Sequence, residues 1–516
     1  MHIKNKKKPS ILALACLGLC GLMPAHAAAD SVDTDKVVVN GMPIEATFDS
    51  KGGLWVTARG DSGWGIKQVD FATRQVHTYP ASTINAEGIV EGPDGNMWFA
   101  SREGTIGRIA GGNVSYFKPP AGYGRPWHIT AGPDGALWFT LSEYEDMPGF
   151  TGGIGRITTA GVISVHSLGL SRNVSKITAG PDGALWATAP NTNEIVRIST
   201  QGAVSYFPAK VDIGDNAGIA TGPDGNLWYT TGTSRHIQTV GVVRMDRYGN
   251  VLRIFTGGDI TAPMAIVAGN DGNMWFSNGV DSGTIGRIKM GGQVDAFVLP
   301  SGRLPLQWGM AHNPATGDLW TVEPSSGALE RYPTQGYVLR LAMTGDRTLD
   351  ETADATGNYA PVAGMKGDFA MGATPGWPGG YADIEAWSFH APIPFTANAN
   401  DPGFRWHLRA TPQIKEAFAL MNARSNFCVQ GGSPSREQPC IASSRQEWIA
   451  ESTPLTRQYA LRNPESRSCA HFTYGYNYAT AHAAGGFRGT DYRNGGSTIG
   501  IESSCLKRYN QRFSFE

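Results

Sequence analysis

Gly132-Pro133-Asp134-Gly135-Ala136-Leu137-Trp138 is the stretch whose reading decides the fold, because it returns along the chain. GPDGNMW ends at Trp98, GPDGALW again at Trp186, GPDGNLW at Trp228 and GNDGNMW at Trp275. Two degenerate copies, SKGGLW and ATGDLW, end at Trp55 and Trp320. The seven tryptophans are 43, 40, 48, 42, 47 and 45 residues apart, the period of a four-stranded propeller blade. In each copy Pro-Asp-Gly makes a tight turn, Pro setting φ and Gly tolerating a positive φ. An alternating strand follows, such as Leu137-Trp138-Phe139-Thr140. Next comes Ile-Gly-Arg-Ile at 106–109, 154–157 and 285–288, then an outer strand such as Val204-Ser205-Tyr206-Phe207-Pro208. Four short strands, seven times, with no helical period, predict an all-β chain with a seven-bladed propeller over residues 35–341. The repeated Trp is expected to pack between neighbouring blades, each burial contributing roughly 2–3 kcal/mol before entropy costs. Val37-Val38-Val39 and Tyr337–Leu341 compete to complete the last blade.

Composition agrees with this pattern. Glycine is 67 of 516 residues, charged residues are 17% and aromatics 10%, which suits many short strands and tight turns rather than a helical bundle. Lys4, Lys6, Lys7 and Lys8, the apolar stretch from Ile11 to Met23 and Ala25-His26-Ala27 read as a secretory signal peptide over residues 1–27. Without those four lysines the chain carries 39 basic and 44 acidic residues. No basic excess remains to neutralise phosphates, so nucleic acid is not expected as a partner. Nor is a transmembrane segment, and the location expected is secreted or periplasmic. Cys428, Cys440, Cys469 and Cys505 all fall in the last 90 residues, an even count that reads as two disulfides in an oxidising compartment.

The repeats resemble the streptogramin lyase (virginiamycin B lyase) family over about residues 40–340, on GPDGxLWFT, IGRI and a strand ending near Phe-Pro. The resemblance implies a seven-bladed propeller that opens a cyclic depsipeptide by elimination, using a His base and a metal ion, Mg²⁺. The family's base lies in a Pro-His-Gly-Ile segment of the last blade. Here Leu306, Gln307 and Trp308 stand where Glu, Pro and His belong, and Glu323, three residues after Trp320, is the one matching acid. His128 in Pro126-Trp127-His128-Ile129 is shifted by one position, which on a strand turns it to the other face. Glu323 and His128 are therefore the catalytic candidates, with His128 favoured as a packing residue. Around the central funnel, Glu45, Arg59, Glu87, Arg102, Trp127, Lys176, Asp215, Asn278 and Trp308 are the ligand candidates.

The C-terminal residues carry a second pattern. Phe418-Ala419-Leu420-Met421-Asn422, Cys428, Cys440 and Gln446-Glu447-Trp448 recur as Tyr459-Ala460-Leu461-Arg462-Asn463, Cys469, Cys505 and Gln511-Arg512-Phe513. This order is similar to the ricin-type lectin repeat. It implies a β-trefoil over 345–516, with 345–415 partly linker, and the pairs Cys428–Cys440 and Cys469–Cys505. The family's sugar-binding Asp is replaced by Gln430 and His471; with Trp448, Tyr474 and Tyr476 these are the candidates for recognising carbohydrate or a cell surface. The reading is an exported binding protein. Its alternatives are a metal-dependent lyase or hydrolase acting on a cyclic peptide or polysaccharide, and a toxin-like adhesin.

Overall fold

A computed structural model describes residues 31–341 apart from 34, 61–62, 81–85, 143–150, 171–172, 215, 233–238, 280–282 and 301–308. Beyond 341 it describes strands between 369 and 515 and a few residues beside them. The expected signal peptide lies outside the described residues, as do Asp215, Trp308, Cys469, Tyr474, Cys505 and Tyr476.

Every named element is a strand, and the chain folds as a β-propeller. Each of the first five repeats is a four-stranded antiparallel sheet. The third, for example, runs Arg125–Ala131, Leu137–Ser142, Thr151–Ile157, Ile163–Leu170. The seventh repeat supplies Gly309–His312, Leu319–Glu323 and Ala328–Tyr332, and two N-terminal strands, Lys36–Val38 and Ser31–Val32, complete it as a five-stranded sheet. Val37 and Val38 thus take the closing position, and Tyr337–Leu341 pairs elsewhere. The sixth repeat is not a separate sheet. Strand Arg405–Ala410 adds to its outer strand Val294–Phe297, pairing Phe297 with Arg409, and the repeat opens into a sixteen-stranded sheet. The expectation of seven separate blades is corrected to six, because the sixth repeat's edge is taken up by a strand from the C-terminal region.

The innermost strands of the repeats touch in sequence from first to last, and the last touches the first. The tryptophans explain this order. All seven are buried, and each packs into the repeat that follows. Trp138 clusters with Leu185, Ala187 and Val196 of the fourth repeat, and Trp320 with Phe48, Leu54 and Val56 of the first. The turn aspartates hold the indoles in place. Asp134 accepts from Trp138 Nε1 at 3.0 Å and from Arg156 Nε at 2.6 Å. Asp182 does the same for Trp186 and Arg197, at 2.9 and 2.6 Å.

The strands beyond residue 341 form a branched part of the sixteen-stranded sheet. Cys428 and Cys440 are disulfide-bonded, as the resemblance implied. Phe418 and Trp448 exchange backbone hydrogen bonds, so the Leu-x-Asn and Gln-x-aromatic motifs meet in space. The described strands do not establish the expected trefoil, since most of residues 345–516 lie outside the described residues. Among the described residues no helix is long and apolar enough to cross a membrane.

Candidate functional site

The site forms where the inner strands begin. Pairing slips between Pro43 and Glu45, between Ala86 and Ile89, and between Pro126 and Ile129. A bulge at each place re-aims the side chains of Glu45, Glu87, Trp127 and His128. Three of the residues hold equivalent positions around the ring. The backbone N–H groups of Glu45, His128 and Lys176 donate to Thr57, Thr140 and Thr188 Oγ1, at 3.1, 3.1 and 3.2 Å. Each threonine hydroxyl then donates to a carbonyl of the next repeat: Glu87, Ser175 and Ala217 respectively. The ring of threonines sets the height at which the three side chains project.

At that height Glu45 bridges the repeats. Its Oε2 accepts from Lys176 Nζ at 2.7 Å, and its Oε1 lies 2.9 Å from His128 Nε2. The partners stand two and three repeats away, and the bridge is possible because the second repeat presents only Gly88 between them. A Cβ on Gly88 would sit 2.9 Å from His128 Cα, so glycine also lets the two inner strands approach. One residue nearer the strand start, Glu87 accepts from Arg102 at 2.9 Å, and the Arg102 guanidinium lies 5.0 Å from the centre of the Trp127 ring.

Electrostatics assign the protonation states. The Ile177 N–H donates to His128 Nδ1 at 3.3 Å, so the ring proton sits on Nε2 and is donated to Glu45. Burial and the neighbouring Lys176 ammonium lower the His128 pKa against the pull of Glu45, and the imidazole is neutral. Burial pushes the Glu45 carboxyl up, but Lys176 and His128 outweigh it and hold it at about 2. Burial raises Glu87 despite Arg102 and Lys176. Both His128 nitrogens are engaged, so the ring has no lone pair with which to take a proton from a substrate.

Six of the sequence candidates, Glu45, Glu87, Arg102, Trp127, His128 and Lys176, are therefore brought together. Others are not. Arg59 is exposed on the second strand of the first repeat. Asn278 is fully buried, its amide donating to Asp259 O and Thr284 Oγ1 and accepting from Thr261 N–H; it ties a loop and does not line the funnel. The Glu323 carboxylate is buried and caps its own turn, accepting from the N–H groups of Ser325 and Ser326. The side chains of Gln430 and His471 lie outside the described residues; Trp448 is buried in the C-terminal core. The threonine ring and Gly88 were missed by the sequence reading, although the recurrence of a hydroxyl residue two places after Trp55, Trp138, Trp186, Trp228 and Trp275 was available as a signal.

The Mg²⁺ implied by the resemblance does not fit the described donor set. Among the described residues no three His, Cys, Asp or Glu side chains converge to hold a metal ion, and Glu45 and Glu323 spend their oxygens on other partners.

A closed ring of radial sheets with charged groups at its axis defines a propeller with a central polar site. The profile of the virginiamycin B lyase family matches residues 32–238 and 148–349, more than half of the chain, and the chain belongs to that family. Solved structures similar to it include selenomethionine-substituted virginiamycin B lyase from Staphylococcus aureus, at 24% identity over 56% of this chain and 94% of that one, with a TM-score of 0.48. A streptogramin B lyase is similar at 21% identity over 60% and 99%, with a TM-score of 0.49. Hydrazine synthase from Kuenenia stuttgartiensis is similar at 15% identity over 57% and 95%, with a TM-score of 0.44. No curated protein sequence matches the chain.

Proposed function

We propose that this chain is an exported ligand-binding member of the virginiamycin B lyase family that does not itself carry out the elimination. Its ligand is a small polar molecule held in the funnel by Glu45, Glu87, Arg102, Trp127 and Lys176. The observation that carries this reading is the engagement of both His128 ring nitrogens, which leaves the only histidine of the cluster among the described residues unable to act as a base. The C-terminal region, with its Leu-x-Asn, cysteine and Gln-x-aromatic repeat, serves to recognise carbohydrate or a cell surface. Support for that part comes from the Cys428–Cys440 bond and the meeting of Phe418 with Trp448.

The test is direct. Purified full-length protein is incubated with a streptogramin B antibiotic, with and without Mg²⁺, and the antibiotic is separated by liquid chromatography and fragmented by tandem mass spectrometry, because elimination opens the ring without changing its mass. The expected outcome is intact antibiotic in both cases; a ring-opened product of altered connectivity overturns the reading. A second reading, a lyase or hydrolase with rebuilt roles, is favoured by one observation: Glu87 is the carboxyl of the cluster whose pKa moves toward neutrality. Under it, turnover falls at least 100-fold in Glu87→Gln.

A further inference from the structure

Strand Arg405–Ala410 joins the C-terminal region to the propeller. It pairs with Val294–Phe297 and Tyr337–Leu341, and also with Phe418–Asn422. The Val298 N–H donates to Leu408 O at 2.8 Å. In the middle of this strand sits a histidine. His407 is 2% exposed, its ring 4.9 Å from the Phe297 ring centre. Its Nε2 lies 3.3 Å from Arg287 Nη1, and its Nδ1 lies 2.9 Å from Tyr332 Oη.

These contacts fix the tautomer. A guanidinium can only donate, so Nε2 is the acceptor, and Nδ1 carries the proton and donates to Tyr332 Oη. A second proton has no acceptor to meet: on Nε2 it would face the N–H of Arg287, one cation against another. The charged groups nearby do not relieve this. Lys289 and Arg405 add positive charge. The carboxylate of Asp295 is fully buried and already holds Arg287 at 3.0 Å, with Lys289 at 3.9 Å. Across the pair from His407, strand Phe418–Asn422 offers Met421, which carries no charge.

We propose that His407 is a proton-operated latch, holding strand Arg405–Ala410 against the sixth repeat while the ring is neutral and releasing it when the ring is protonated. Burial together with Arg287, Lys289 and Arg405 pushes His407 well below its ordinary range, in keeping with this geometry. The released ring titrates near 6.5 and the docked ring lower. Docking is thus at full strength above about pH 6.5 and weakens as pH falls from there toward the docked value, up to tenfold per pH unit.

The test is amide hydrogen exchange of residues 405–410 in the full chain at pH 7.5 and 5.0, corrected for the intrinsic pH dependence of exchange. Strand Leu185–Ala189, far along the ring, serves as the internal control. Protection of 405–410 is expected to fall by up to about 30-fold while the control holds. In His407→Gln, the side-chain oxygen can accept from Arg287 and the amide can donate to Tyr332, yet nothing titrates, so protection should be equal at both pH values. Equal protection in the wild type, or an acid-induced loss in the Gln variant matching the wild type, overturns the proposal. If the variant does not fold, ring titration of isotope-labelled histidine in the wild-type chain decides: the buried ring is expected to titrate well below 6.5, and a value of 6.5 or above overturns it.

Discussion

A single turn aspartate joins three strands' worth of chemistry. Asp182 accepts from the Trp186 indole and the Arg197 guanidinium, so one carboxylate aims the buried ring and ties it to the next strand. Asp182→Asn keeps an acceptor for the indole and loses the ion pair. Its expected cost is about 1–2 kcal/mol, read as a lower urea midpoint at unchanged slope. Acid acts on the same kind of group. Burial raises Asp182 and Asp224, but hydrogen bonds, from Trp186 and Arg197 to the first and from Asn226 and Trp228 to the second, hold both below their ordinary value. Glu45 goes from an ordinary 4.5 to about 2. For such depressed carboxylates the stability is present above the unfolded pKa and is lost as pH falls through the folded one. Urea midpoints measured from pH 7 to 3 should therefore decline below about pH 4.5, and less steeply in Glu45→Gln. At this scale the sequence was readable where a residue recurs: the aspartates were legible as turn residues. The turn-capping contacts of Glu323 were not legible, because a carboxylate capping its own turn looks, as a letter, the same as one facing a ligand.

Where a phenylalanine follows the repeated tryptophan, the facing strand answers with glycine. Phe139 lies opposite Gly155, and a Cβ on that glycine would come within 2.0 Å of the ring tip. Phe99 with Gly107 and Phe276 with Gly286 repeat the arrangement, whereas Ala187 faces Val196: where the ring is missing, the partner grows. Gly155→Ala should therefore cost roughly 1–3 kcal/mol through overpacking, measured by thermal or urea unfolding. The threonine ring gives a second prediction. The Thr188 hydroxyl accepts from the Lys176 N–H and donates to Ala217 O, so Thr188→Val strands two backbone groups with no change of shape. A loss of about 1–3 kcal/mol is expected, with the Lys176 side of the site loosened. Strand existence and order were legible because period-two patterning and Gly turns repeat. The bulges that aim Glu45, Glu87 and His128 were not, because a one-residue slip leaves the alternating pattern almost unaltered.

Closure belongs to the whole molecule. Val37 and Val39 are buried, and Val37 sits opposite Leu329 in the last sheet. Deleting residues 28–40 removes both valines and leaves strand Ala328–Tyr332 paired on one edge alone, with Leu319–Glu323. The expected loss is roughly 3–6 kcal/mol, visible as a markedly lower thermal midpoint. The sequence narrowed closure to two candidate segments and could not choose, since both are short apolar strands. The choice depends on what the loser does instead, and Tyr337–Leu341 has a partner in Arg405–Ala410 that no local pattern announces. The other pairing of strand Arg405–Ala410, with Val294–Phe297, merged the sixth repeat with the C-terminal strands and hid the His407 contacts from a reading along the chain.

The closing strand also imposes a timetable on biosynthesis. Lys36 and its partner Glu330 are 294 positions apart, so at about 5–20 residues per second the ribosome makes the second tens of seconds after the first. Through that interval Phe48 and Leu54 wait without the Trp320 indole that will cover them. Ring completion accordingly waits until the chain has been made as far as Tyr332, and the nascent amino-terminal repeats are the stretch a holdase would need to shield.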